Sequence, residues 1–146
     1  MSVDHLPEEI FLRTQVREID NSAISRHGID GFSLMKKAAH FSFNVLLERF
    51  PDTKSIQVLC GSGNNAGDGY LVAALAHAHG LSTRIAYLSP PEKLRGNAQK
   101  AYQACLSEKL PCQRYEDAFL REVTDEHPVI VDALLGTGLN SEVRGC

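Results

Sequence analysis

Two asparagines and an aspartate sit inside the glycine-rich stretch Gly61-Ser62-Gly63-Asn64-Asn65-Ala66-Gly67-Asp68-Gly69. A second aspartate opens another such stretch, Asp132-Ala133-Leu134-Leu135-Gly136-Thr137-Gly138. Glycines allow positive φ and let a ligand approach the backbone closely. A helix N-terminus beyond the first stretch would offer free N–H groups to an anion. The acids point to a different use, because Asp68 would repel a pyrophosphate laid beside it. It suits the positive end of a helix dipole in a first helical turn, the binding of a hydroxyl, or proton transfer. Asn64 and Asn65 tolerate left-handed backbone and carry carbonyl oxygens. Together with the Asp132 carboxylate they make an oxygen donor set suited to a hard cation. Each feature also has a plainer reading: a tight strand-to-helix turn without a ligand, and a carboxylate that caps a loop.

Gly61 to Ala66 fit G-x-G-x-x-A, a spacing used for dinucleotides when it lies between a strand and a helix. A nicotinamide dehydrogenase would also place an acid at the end of the next strand, for the ribose hydroxyls. Here that strand ends Tyr87-Leu88-Ser89-Pro90, and the nearest acid, Glu92, lies beyond two prolines. A dehydrogenase reading is therefore disfavoured.

The elements that must hold these residues follow from periodicity. Helical spacing of Val16, Ile19, Ala23 and Ile24 predicts a helix over 14–27, with Arg17, Glu18 and Asp20 outside and Gly28 as its C-cap. A second helix is expected over 34–49, with Ser33 as N-cap and Pro51-Asp52 beyond its end. Strand 56–60, helix 67–79 closed by Gly80, strand 83–88, helix 96–108, strand 112–115, a short helix 117–124 and strand 129–134 then alternate. Ser89 to Glu92 have capping-box spacing. This order argues an α/β, Rossmann-like, doubly wound and mostly parallel sheet with added N-terminal helices. With strand order 3-2-1-4, the first and fourth strands are neighbours at the switch point, and both glycine loops open into one crevice there.

The whole chain sets broad limits. Its 146 residues allow one domain with a real core. The net charge of −3 offers no basic patch for nucleic acid or an anionic membrane, and no apolar run is long enough to span a bilayer. The N-terminus, Met1-Ser2-Val3-Asp4-His5, is neither basic nor apolar, so no secretion or transit signal is read from it. Cys60, Cys105, Cys112 and Cys146 include no C-x-x-C pair and read as reduced thiols of a cytoplasmic protein. A strand and its loop end the chain without the covering helix such a strand leads into. The sequence is thus expected to be one domain, 1–146, incomplete at its C-terminal end.

At the glycine segments the sequence resembles a known family. "GSGNNAGDGYLVAALAHAHG" is similar to the G-x-G-N-N-G-G-D-G segment of the YjeF N-terminal domain family, the NAD(P)HX epimerases. "VIVDALLGTGL" resembles that family's second segment, and "QVREIDNSAISRHGIDGFSLMKKAA" its N-terminal helices, where V-R-x-x-D and L-M-x-x-A recur. The resemblance implies an isomerase that interconverts the R and S epimers of hydrated NADH and NADPH, so that a dehydratase, fused or separate, can restore the cofactor. It implies substrate contacts at Asn64, Asn65, Ala66, Gly67 and Asp68, and at Gly136, Thr137, Gly138, Leu139, Asn140, Ser141 and Glu142. It also implies one potassium ion per subunit on Asn65 and Asp132, and a homodimer formed through the N-terminal helices. Its compartment would be the cytoplasm, or the mitochondrion in a eukaryote.

Three departures stand out. Ala66 replaces a usual glycine, which requires negative φ there; Ala39-His40 replaces Ala-Gly; and the family's D-x-P-S-G segment is not in this sequence. Epimerisation needs the bond between the hydrated carbon and its hydroxyl to break and re-form. The ring nitrogen can expel the hydroxyl to give an iminium ion, and an acid–base group must serve the hydroxyl. Asp68 is the first candidate for that group. The alternative is a non-catalytic nucleotide-binding and dimerisation module of the same fold, as in an mRNA-decapping scaffold.

Overall fold

The structure, a computed structural model, describes residues 10–116 and 128–137. Helices α1 (Arg13–His27) and α2 (Gly31–Arg49) come first. Then follow β1 (Ser55–Cys60), α3 (Asn64–Ala78), β2 (Ser82–Tyr87), a single 3-10 turn (Pro91–Lys93), α4 (Gly96–Ser107), β3 (Cys112–Arg114) and β4 (Val129–Ala133). The four strands are parallel in the order β3-β2-β1-β4. The expected order therefore holds. The chain moves outward from β1 to β3 and then returns to the far side of β1, which is the reversal of a doubly wound sheet. Right-handed crossovers running in one direction put α3 and α4 on the same face. The return passes through residues 117–127, so the helix expected at 117–124 lies outside the described residues.

The core lies between the sheet and α3. Ile56, Val58 and Cys60 of β1 are fully buried, and so are Tyr70, Ala73 and Ala76 of α3. α3 is covered on its far side by α2 and α4, so it is apolar nearly all round. Small residues set its distance from these neighbours. A Cβ on Gly67 would stand 2.9 Å from the Ala98 Cα of α4, and one on Gly69 would stand 2.5 Å from the Ala133 Cβ of β4. The N-terminal end of α3 is thereby held close to both α4 and the end of β4.

Four expectations are corrected. α2 starts three residues early because Asp30, not Ser33, caps it: its carboxylate accepts from the Phe32 and Ser33 N–H groups, and from the Ser33 hydroxyl. α3 likewise starts at Asn64, so Asn64, Asn65 and Ala66 are helical and Asp68 lies beyond the first turn. Ser89 caps nothing: Pro90 and Pro91 lead one 3-10 turn, and α4 begins afresh at Gly96. Finally, the apolar stripe of α1 is only partly covered, with Ile19 52% and Ile24 41% exposed.

Candidate functional site

β1 ends at Cys60, and the chain must then turn into α3 beside the loop that leaves β4. Gly61 makes that contact. Its N–H donates to the Ala133 carbonyl at 3.1 Å, extending the β1–β4 ladder, and a Cβ in its place would collide with the Leu134 carbonyl oxygen. Gly63, with φ +88°, swings the chain into the helix. Among the described residues no non-glycine of this segment has positive φ, so the methyl of Ala66 meets the backbone condition set by the sequence. Ala66 is fully buried. Ala66 and Gly67 thus face the core and could reach a ligand only through their backbone.

The helical start divides the asparagines and the aspartate between two faces. Residues four apart share a face, so Asn64 goes with Asp68, and Asn65 with Gly69. The Asn65 face meets the β4 loop. Its Nδ2 donates to the Leu135 carbonyl at 3.0 Å. A Cβ on Gly136 would lie 2.9 Å from the Asn65 Cβ. Asp132 is exposed at the end of β4, and its Oδ1 accepts from the Leu134 N–H at 2.9 Å. The plainer reading of Asp132 as a loop cap is therefore correct for one oxygen, while the other carries no bond among the described residues. Asn65 Oδ1, the Leu135 carbonyl and the Asp132 carboxylate are hard donors at one end of the sheet, a set whose chemistry suits a hard cation. Gly136 and Thr137 are exposed beside them. Gly138, Leu139, Asn140, Ser141 and Glu142 lie outside the described residues.

The Asn64 and Asp68 face opens instead on a cavity of about 520 Å³. Arg17, Asp20 and Asn21 of α1 form one wall, and Leu34 and Met35 of α2 with Asn97 of α4 complete it. Asp68 is half-buried and has no hydrogen bond or ion pair among the described residues. Burial pushes its carboxyl from 3.8 up to about 6, and the nearby charge of Asp20 adds to the rise. A carboxylic acid that titrates this close to neutrality can both give and take a proton.

The expected single crevice is thus two adjoining regions separated by the first turns of α3. The wall from α1 and Asn97 is one that the sequence reading does not anticipate. Its signal is present in Arg17-Glu18-Ile19-Asp20-Asn21, whose charged residues periodicity assigns to an outer face.

Comparison with known proteins follows the same lines. A family model described as YjeF-related protein N-terminus matches residues 31–146. The chain is 37% identical over 135 residues to the "Bifunctional NAD(P)H-hydrate repair enzyme Nnr" of Coxiella burnetii, covering 92% of this chain and 27% of that protein. It is 30% identical over 142 residues to the "NAD(P)H-hydrate epimerase" of Pirellula staleyi, covering 94% of this chain and 62% of that one. The crystal structure of yeast ynu0 is alike in fold, with a TM-score of 0.79 at 22% identity, over 93% of this chain and 60% of the yeast chain. The chain spans less than two thirds of each of these relatives.

Proposed function

The chain belongs to the YjeF-related protein N-terminal family, and from that membership we propose that it serves the epimerisation of hydrated NADH and NADPH. The observation that carries this reading is the half-buried, unpartnered carboxyl of Asp68 on the wall of a 520 Å³ cavity beside Asn64. The names of the relatives give the substrate class.

In the proposed reaction the substrate's ring nitrogen pushes out the hydroxyl of the hydrated carbon, leaving an iminium ion. Asp68 protonates that hydroxyl as it leaves. An ordinary aspartate is almost wholly ionised at neutral pH, whereas one raised to about 6 keeps a useful fraction protonated. Asn64, on the face of α3 that carries Asp68, orients the ring and its amide, while Asn65 and the backbone of Ala66 and Gly67 contact the rest of the nucleotide. Gly136, Thr137, Gly138, Leu139, Asn140, Ser141 and Glu142 supply the second set of substrate contacts.

One potassium ion per subunit, on Asn65 and Asp132, would supply positive charge close to the loop leaving β4. The contact between Asn65 Nδ2 and the Leu135 carbonyl supports this, because it fixes which way the amide oxygen points.

Exposed Ile10, Phe11 and Leu12, just before α1, and exposed Ile19 on it support pairing of two copies. The "bifunctional" relatives support a dehydratase partner, fused or separate. Among the described residues no helix is long and apolar enough to cross a membrane. Free Cys60, Cys105 and Cys112 support a reducing compartment such as the cytoplasm.

The test is to incubate the intact protein with the R epimer of hydrated NADPH, with and without potassium, and to follow the S epimer by chromatography. A rate well above spontaneous epimerisation is expected. A rate at that baseline with nucleotide still bound would instead select a non-catalytic binding module.

A further inference from the structure

Epimerisation by loss and return of a hydroxyl is a two-sided reaction. Water must leave one face of the ring and add to the other, so one acid–base group on a single wall serves only half of it. The cavity has a carboxylate on each of two walls. Asp68 stands on α3, and Asp20 stands on α1. Neither has a hydrogen bond or ion pair among the described residues, and both are free to meet a ligand. α1 otherwise packs lightly on the body, so this face of it borders space rather than core.

We propose that Asp20 is the second acid–base group of the site, acting on the ring face opposite to the one served by Asp68. This inference rests on the epimerase reading. The desolvated setting of Asp68 suits it to be the acid, which leaves the base to Asp20. In the first step Asp68 gives its proton to the hydroxyl. The carbon–oxygen bond breaks with its electron pair on oxygen, water departs, and the nitrogen lone pair forms the carbon–nitrogen double bond. In the second step a water on the other face adds its oxygen lone pair to the carbon. The double-bond pair returns to nitrogen, and Asp20 takes the released proton. One proton has passed from Asp68 to Asp20, and exchange with solvent resets the pair. In the reverse direction the two residues exchange roles.

The other groups facing Asp68 are few. α1 adds Arg17, one turn before Asp20. α4 presents Asn97, and α2 presents only Gly31, Leu34, Met35 and Ala38. Asp20 is thus the one other carboxylate on this cavity among the described residues.

The test is Asp20→Asn in the intact protein, with the R epimer of hydrated NADPH in water enriched in oxygen-18. The wild type should invert the substrate and label the product. Asp20→Asn should lose inversion by about 10²-fold or more, yet should still label unreacted R epimer, because ionisation and same-face return through Asp68 survive. Asp20→Glu should recover part of the inversion. Inversion at the wild-type rate in Asp20→Asn would overturn the proposal. Equal loss of inversion and labelling, with an unchanged melting temperature, would overturn it too, since it would make Asp20 a binding or positioning group. A wild type that neither inverts nor labels would instead fail the epimerase reading itself.

Discussion

The Asn65 side chain donates from Nδ2 to the carbonyl oxygen of Leu135 at 3.0 Å, across 70 residues of chain. This bond joins the first turn of α3 to the loop leaving β4. It also separates Asn65 from its sequence neighbour Asn64, which faces the cavity with Asp68. One motif thus serves a donor set on one side of the helix and a proton-transfer cavity on the other.

The donor side predicts a potassium response that depends on both loops. Asp132→Ala removes the carboxylate and also the cap on the Leu134 N–H, the latter worth about 1 kcal/mol. Its fold should survive because Asp132 is exposed. The potassium concentration for half-maximal epimerase rate should rise at least severalfold. Asn65→Asp should behave differently, since a carboxylate oxygen would then oppose the Leu135 carbonyl and destabilise both loops. A titration with potassium chloride against a choline control checks both, and an unaltered response in Asp132→Ala would remove Asp132 from the cation site.

The cavity side predicts opposite effects of one substitution on rate and on stability. Asp68→Asn should lower turnover by about 10²- to 10⁴-fold. Its effect on stability follows from the raised carboxyl, about 6 in the folded protein against the ordinary 3.8 of an unfolded chain. The folded state holds the proton more tightly, so ionising Asp68 opposes folding. That penalty is absent below pH 3.8, grows as the pH rises, and is complete above about 6. Asp68→Asn should therefore melt at a higher temperature than the parent at about pH 7.5, with the gap closing at about pH 3.5. Calorimetry at the two pH values decides it, and a gap of the same size at both would disprove the desolvation account.

Gly61→Ala should be destabilising without touching any reacting group. The new methyl meets the Leu134 carbonyl oxygen, which cannot retreat without disturbing the Gly61 N–H to Ala133 bond. Overpacking of this kind costs about 1–3 kcal/mol. Urea unfolding should show that loss, whereas Ser62→Ala next to it, at an exposed position, should be close to neutral.

The α2 cap gives a test that is independent of function. Asp30→Ala removes the acceptor of two backbone N–H groups and should cost about 0.5–2 kcal/mol. Ser33→Ala should cost less, because Ser33 is inside the helix and its hydroxyl only supports Asp30. The reverse order in thermal melts would restore Ser33 as the cap.

Much of this architecture was legible in the sequence because it rests on local chemistry. Ile56 to Cys60, Thr83 to Leu88 and Val129 to Val131 are short, mostly apolar segments rich in β-branched residues, and helical periods separate them. Once the crossovers are right-handed, the order β3-β2-β1-β4 is among the few arrangements left. Gly61, Gly63, Asp68 and Asp132 were visible as candidates for the same reason, since positive φ, close approach and carboxylate chemistry belong to residue types. The start of α3 was not legible. Asn64 and Asn65 favour turns by themselves, and it is contact with Leu135 and the close approach of Gly67 to Ala98 that accompany their helical placement. Nor was the wall made by Arg17, Asp20 and Asn97. Periodicity assigns a polar face to a helix but does not say whether that face meets water or a cavity, and only the packing of α1, α2 and α4 around the end of α3 decided that.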